Sequence, residues 1–455
     1  MPRIPYAYPA QGTSAIADAI RARRGARGLT PLDGALLNAP EIAGGWNQLL
    51  GAVRTKSKLP GGIREILVLR VAALNKAYFE WIHHYPVAQQ EGVSVPVLSH
   101  IRDTTRAPPV SSPLDGLQRA AVAFADASTV NASVPSAVFE ALKKELGDDQ
   151  QMTEAAATVA TYNMVSRFLV AMDVDDAAGK SLPYPGTLRE EKRVKTQDGE
   201  ELFVVTHSKE GEERKWILLV NSLLTNLSMW DDAISRLVQS YNVITYDQRG
   251  HGQSSIPKEP CTIESLSNDI TAILSSLSIS HLHSLIGISQ GGATVLHYAA
   301  SHPSTISSAI VCDTQIVSPA ANAKAWNERI ALAKSEGMVA LSEATIKRWF
   351  PLNSAYVEGN KSHVVRAMIE GTSAEGFEKG ARALQGYDLS AGVEELKKVR
   401  ILLSAGERDG KLPEGLNSLK ATLGENASFT LIEASGHLPP IERPGAWCDV
   451  VERFL

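Results

Sequence analysis

The hydrophobic pattern changes period once along the chain. From about residue 31 to 175, apolar positions recur three and four residues apart, as on helices buried along one side. The run "GGIREILVLRVAALNKAYFEW" places Ile63, Ile66, Leu67, Leu74 and Tyr78 at such spacings and reads as one helix leading to Glu80. "PLDGLQRAAVAFADAS", "PSAVFEALKKELG" and "MTEAAATVATYNMVSRFLVAM" repeat the pattern, separated by Pro, Gly, Asn and Asp. No strand-like alternation intervenes, so this half is predicted to be all-α. Segment 173–194, "DVDDAAGKSLPYPGTLREEKRV", is charged and broken by Pro183, Pro185 and Gly186. It predicts a linker over 176–190, between a first domain at 1–175 and a second at 191–455.

Beyond the linker the apolar runs are short and rich in β-branched residues: "ELFVVTHS", "KWILLVNS", "YNVITYDQ", "HLHSLIGIS", "SSAIVCDT", "VRILLSAGE" and "SFTLIEAS". Helical stretches alternate with most of them, which predicts a mostly parallel sheet covered on both faces. Residues 315–390 interrupt this alternation with helix-like sequence, including "AWNERIALAKSEGMVALSEATIKRWF". That predicts a helical cap inserted over the edge of the sheet.

Composition narrows the partners. The chain has 455 residues, enough for two or three domains of about 100–200 residues each. A formal net charge of -5 with 21% charged residues gives no reason to expect nucleic acid. There is no apolar run of about 18 residues, so no spanning helix and no membrane partner are expected. The opening "MPRIPYAYPAQG" lacks the basic segment and apolar core of a secretory signal, and "VVERFL" carries no peroxisomal or retention signal. Cys261, Cys312 and Cys448 lie far apart and form neither a disulfide framework nor a metal cluster. A reduced, cytoplasmic setting is the expectation.

The stretch "LIGISQGGA" carries Gly287-Ile288-Ser289-Gln290-Gly291 directly after an apolar strand and before a helix, the context a G-x-S-x-G elbow requires. A serine hydroxyl is a poor nucleophile without a base, and the base needs an orienting acid. Asp409 in "LLSAGERDG" and His437 in "LIEASGHLPP" follow strands in the expected chain order. Asp313 in "VCDTQ" also follows a strand and is the alternative acid.

These residues, with "YDQRGHGQS" at 246–254, resemble the α/β-hydrolase family over about 190–455. Within it, "VNSLLTNLSMWD" and "RIALAKSEGMVALSEATIKRWF" are most similar to 3-oxoadipate enol-lactonases. Asn221-Ser222-Leu223 matches their pattern after the third strand, whereas Leu224 stands where glycine is usual. The resemblance implies an oxyanion hole from the backbone N–H groups of Leu223 and Gln290, each donor worth roughly 3–4 kcal/mol of barrier. In the cap, Arg348 is a candidate partner for a substrate carboxylate and Trp349 a candidate pocket wall. Arg249 and His251 are read as structural, holding their own loop. Serine at position 289, where dehalogenases and epoxide hydrolases use aspartate, argues against both.

The helical half holds a second group of polar residues. Arg70 interrupts "LVLRVAAL", and a charge there needs a partner, either a carboxylate such as Glu80 or a bound anion, unless it snorkels to water. Glu80 and His84 stand four apart on one helix face, where a carboxylate orients an imidazole. Pro86 removes the N–H that would reach the carbonyl of Ile82 and predicts a kink.

The stretch "REILVLRVAALNKAYFEWIHHYPVAQQEG" resembles the carboxymuconolactone decarboxylase family, whose fold overlaps with alkyl hydroperoxidase-D proteins. The absence of cysteine from this half excludes their thiol peroxidase chemistry. The resemblance covers about 30–175 and implies His84, rather than His83, as proton donor, Glu80 as its orienting partner, and Arg64 or Arg70 as carboxylate clamp. It implies no cofactor, because the carboxylate of 4-carboxymuconolactone is vinylogous to the lactone carbonyl and CO₂ loss leaves a dienolate.

The product implied for the first half, 3-oxoadipate enol-lactone, is the substrate implied for the second. The expectation is therefore a bifunctional, homo-oligomeric enzyme of protocatechuate breakdown acting on a small-molecule lactone. Two alternatives stay open: a lactonase or esterase whose helical half serves only assembly, and a hydrolase of another lactone or ester in secondary metabolism.

Overall fold

The computed structural model describes residues 2–209, 211–351 and 362–455. The chain divides into two compact units, Met1–Gly186 and Thr187–Leu455.

The first unit is helical: α1 (Ala15–Arg24), α2 (Pro31–Leu36), α3 (Pro40–Thr55), α4 (Gly61–Leu74), α5 (Tyr78–Gln90), α6 (Val95–Arg102), α7 (Gly116–Asn131), α8 (Ser136–Leu146) and α9 (Asp149–Ala171). Between Ile63 and Ala73, α4 is buried at every position except Arg64, so it is the central helix, packed on α5, α7 and α9. The single helix expected to run to Glu80 is two helices. Lys76 takes a left-handed φ of 54°, the Ala77 N–H returns to the carbonyl of Ala72, and the Asn75 amide donates to Asn163 and Ser166 on α9. Arg70 and Glu80 therefore sit on different helices. Pro86, in contrast, does not end α5, which continues to Gln90. One lost rung is tolerated where Trp81 stacks on Tyr85 and Ala88 is fully buried.

Arg70 is no carboxylate clamp. Its guanidinium grips Asp126 of α7 with two nitrogens and donates to the carbonyls of Ile101 (3.0 Å) and Asp103 (2.6 Å). The partner of this buried charge is Asp126 rather than Glu80 or a ligand, and the charge fastens α4 to α7 and to the end of α6. The expected linker is also more ordered than its composition suggests. Val174, Leu182 and Tyr184 are buried, and the Arg102 guanidinium lies 4.4 Å over the Tyr184 ring while donating to the carbonyl of Leu182.

The second unit is built on a sheet of β1 (Leu188–Lys195), β2 (Glu201–Ser208), β3 (Trp216–Val220), β4 (Asn242–Tyr246), β5 (Ser284–Ile288), β6 (Ser308–Cys312), β7 (Arg400–Gly406) and β8 (Ala427–Ile432). Its order is β1-β2-β4-β3-β5-β6-β7-β8, parallel from β4 onward and antiparallel across β1, β2 and β4. The first strand begins within the end of the expected linker, at Leu188. As an edge strand with only Val194 buried, it carries charges that resist further pairing and mask its alternation. The cap leaves the sheet after β6 and returns before β7. Its base is closed by a bridge between Val317 and Asp388 and by the Ser318 N–H on the carbonyl of Tyr387. A long helix over Ala320–Trp349, interrupted at Gly337, and shorter ones at Ser362–Glu370 and Ala374–Arg382 make up its described part. Among the described residues no helix is long and apolar enough to cross a membrane.

Arg70→Ala is expected to destabilise the helical unit by about 3 kcal/mol, because it strands the Asp126 carboxylate and buried carbonyls together. Denaturant unfolding of the full chain measures this, and Arg70→Lys, which cannot span both partners, is expected to recover only part of the loss.

Candidate active site

β5 ends at Ile288, and the chain turns at once into α10 (Gln290–Ser301). Ser289 occupies the corner with φ 55° and ψ -117°, a conformation few side chains accept. The corner closes only because its flanks are glycine. A Cβ on Gly287 would stand 2.3 Å from the carbonyl oxygen of Gly291, and one on Gly291 would stand 2.3 Å from that of Val220. The strained serine is held by its own N–H on the carbonyl of Cys312 and by its carbonyl accepting from Ala293.

Ser289 Oγ lies 2.9 Å from Nε2 of His437, and Nδ1 of His437 lies 2.7 Å from Oδ2 of Asp409. The acceptor-only carboxylate fixes the tautomer: Nδ1 carries the proton and Nε2 is left to accept from the serine hydroxyl. Asp313, the alternative acid, sits beside Asp409, which is the carboxylate that meets the imidazole. One of its oxygens accepts the Gly406 N–H at 2.8 Å, tying the ends of β6 and β7 together. Burial, with Asp409 beside it, holds the Asp313 carboxyl well above the usual carboxylate range. The His437 loop has a support that the sequence did not suggest. Both Glu442 oxygens accept the Gly436 N–H at 2.9 Å, and burial pushes that carboxyl up to about 7.

Residues 215–444 match the family model described as the alpha/beta hydrolase fold. The chain belongs to the α/β-hydrolase family. It is 30% identical over 246 residues to "3-oxoadipate enol-lactonase 2" of Acinetobacter baylyi, covering 53% of this chain and 89% of that relative. "3-oxoadipate enol-lactonase 1" of the same organism is also 30% identical, over 52% of this chain and 88% of its own length. The crystal structure of the enol-lactonase from Burkholderia xenovorans LB400 aligns with a TM-score of 0.53 at 29% identity, covering 58% of this chain and 99% of that one.

Leu224 takes a left-handed φ of 67°, at a cost of about 1 kcal/mol or more, and its N–H donates to Nε2 of His251 at 3.0 Å. His251 in turn donates from Nδ1 to the carbonyl of Arg249, so both ring nitrogens are used and the ring is neutral. Burial pushes its pKa down to about 4. Arg249 is held between Asp198 and Asp269. Leu223 borders the cavity that contains Ser289, and Gln290, as the first residue of α10, has an N–H that no helical carbonyl can accept.

The cap roofs this cavity. Trp349 stacks on His437 at 5.3 Å, and its carbonyl accepts the His437 N–H. Arg348 and Arg329 both reach the cavity and flank the Trp326 ring, at 5.7 and 4.5 Å. The Arg348 side chain is exposed and borders this cavity. Desolvation of its guanidinium, with Arg329 beside it, pushes its pKa down to about 10. No acidic side chain among the described residues forms an ion pair with either guanidinium.

The helical unit has a cavity of its own, bordered by Arg54, Arg64, Glu65, Glu80, His84 and Tyr162. Its histidine is oriented by Glu65, not Glu80. Nδ1 of His84 lies 2.6 Å from Oε2 of Glu65, while Nε2 faces Arg54 and the Tyr162 hydroxyl. The sequence signal was available: Glu65 is an acid inside the apolar run of α4. His83 is exposed and bonds its own helix at the carbonyl of Phe79. Arg64 reaches the cavity and forms a 3.5 Å ion pair with Glu65.

His251 makes stability depend on pH in a definite direction. The unfolded chain protonates this residue below about pH 6.5, whereas the fold holds it neutral down to about 4. Its contribution is complete above pH 6.5 and lost as pH falls toward 4, amounting to about 3 kcal/mol. Between pH 7 and pH 4 the wild type is expected to lose that much more stability in denaturant melts than His251→Asn, which cannot titrate.

Proposed function

We propose that the hydrolase unit opens a small carboxylate-bearing lactone, with 3-oxoadipate enol-lactone as the preferred substrate. The observation that carries this is the Ser289–His437–Asp409 chain of hydrogen bonds at the wall of a cavity that also receives two guanidiniums without acidic partners among the described residues. The names of the relatives at 30% identity favour the enol-lactone over a simple ester. Ser289 Oγ attacks the ring carbonyl while His437 takes its proton and Asp409 stabilises the imidazolium. The developing oxyanion is received by the N–H groups of Leu223 and Gln290. Collapse breaks the ring C–O bond, His437 returns the proton, and the released enol tautomerises to the ketone. Water, activated by His437, then frees the acid from Ser289. Arg348 holds the remote carboxylate, and Trp349 keeps the imidazole in plane.

The helical unit supports a second reading, a cofactor-free decarboxylation of a carboxymuconolactone that supplies the enol-lactone to Ser289. The specific observation is the buried His84–Glu65 pair at a cavity also bordered by Arg23, Arg24, Arg27, Arg54 and Arg64. Such a site would hold carboxylates and stabilise charge on a lactone oxygen.

Ser289→Ala is expected to lower enol-lactone hydrolysis by about 10⁴-fold or more while leaving CO₂ release intact. Arg348→Met is expected to raise KM for the carboxylate-bearing lactone at least tenfold and to leave neutral esters unaffected. Purified protein supplied separately with 4-carboxymuconolactone and 3-carboxymuconolactone, with CO₂ and 3-oxoadipate followed together, tests both readings. Hydrolysis of the enol-lactone without CO₂ from either compound would leave a lactonase alone. Turnover of simple esters and of none of these lactones would overturn the substrate assignment.

A further inference from the structure

The helical cavity contains a carboxyl group that no described residue satisfies. Glu80 is 2% exposed, borders the cavity, and neither of its side-chain oxygens has a hydrogen-bond partner among the described residues. An unpaired buried carboxylate is costly, so such a group persists either protonated or bound to a ligand. Its surroundings come from separate elements: Arg54 from α3 favours the charged form, while Glu65 from α4 and burial, the largest influence, oppose it. The carboxyl is held well above the usual range.

His84 is in the opposite condition. Arg54 only donates, so Nε2 of His84 must accept; Glu65 accepts, so Nδ1 carries the one ring proton. Burial and Arg54 push the imidazole down to about 4. His84 therefore has no proton to spare near neutrality.

We propose that Glu80, not His84, is the catalytic acid of the helical unit, delivering its carboxyl proton to the carbon of an anionic lactone substrate. The proposal rests on the decarboxylase reading. In the step, the C–CO₂⁻ bond breaks and its electron pair passes through the ring double bond onto the lactone oxygen. The pair then returns to form a C–H bond at the carbon next to the carbonyl, using the Glu80 proton. CO₂ and the enol-lactone leave, and Glu80 regains a proton from water. Arg54, with the His84–Glu65 pair behind it, faces the dienolate oxygen.

The test uses the full chain, 4-carboxymuconolactone and Glu80→Gln, which keeps shape and loses the acid. Expected is a fall in kcat for CO₂ release of at least 100-fold with little change in KM, and unchanged enol-lactone hydrolysis. A second readout does not depend on turnover. The infrared difference between wild type and Glu80→Gln at pH 7 is expected to contain the band of a neutral carboxyl group. A wild type that releases CO₂ alongside a variant within about threefold of it overturns the Glu80 assignment alone, as does a difference spectrum showing only carboxylate bands. A wild type that releases no CO₂ overturns the decarboxylase reading and the assignment with it.

Discussion

A charge taken out of water must find a partner, and both units are organised by that constraint. In the helical unit Arg70 joins α4 to Asp126 on α7 and to carbonyls at the end of α6. In the hydrolase unit Arg249 is clamped between Asp198 and Asp269, and Arg236 lies against Glu452 and Asp449 near the C-terminus. These pairs are complete within the protein, so their residues are committed to structure. Arg348, Arg329 and Glu80 are different. Each borders a cavity, and none has a paired counter-group among the described residues. Of the three only Glu80 is fully withdrawn from water, while Arg329 is half-buried and Arg348 exposed at the cavity.

Geometry at the serine depends on a second constraint, steric rather than electrostatic. The strand end and the helix start approach so closely that a methyl group at 287 or 291 would meet backbone oxygen. Once that corner is fixed, the loop after β3 must fold back beside it. Leu224 does so in a glycine-like conformation because His251 receives its N–H. A non-glycine residue in a left-handed conformation is thus held by a buried histidine from the neighbouring loop.

Much of this was legible in the chain itself. The apolar runs that became β2 to β8, the elbow around Ser289 and the order of Asp409 and His437 were readable because strand burial and sharp turns leave local signatures. What escaped the sequence was long-range choice. Arg70 could have paired with any acid within reach; packing of α4 on α7 selected Asp126. Four-residue spacing nominated Glu80 for His84, but α4 brings Glu65 to the imidazole from 19 residues away. The first strand was hidden because an edge position replaces alternation with charge, and the break at Lys76 because no glycine or proline marks it.

The central claim is that Ser289 is an activated nucleophile, and chemical labelling tests it most directly. The protein would be treated with a dialkyl p-nitrophenyl phosphate and followed by intact and peptide mass spectrometry. One adduct per chain on Ser289 is predicted, with enol-lactone hydrolysis lost in proportion to labelling and no adduct formed in His437→Ala. Labelling at another residue, or full hydrolysis by protein whose Ser289 is fully modified, would contradict the account.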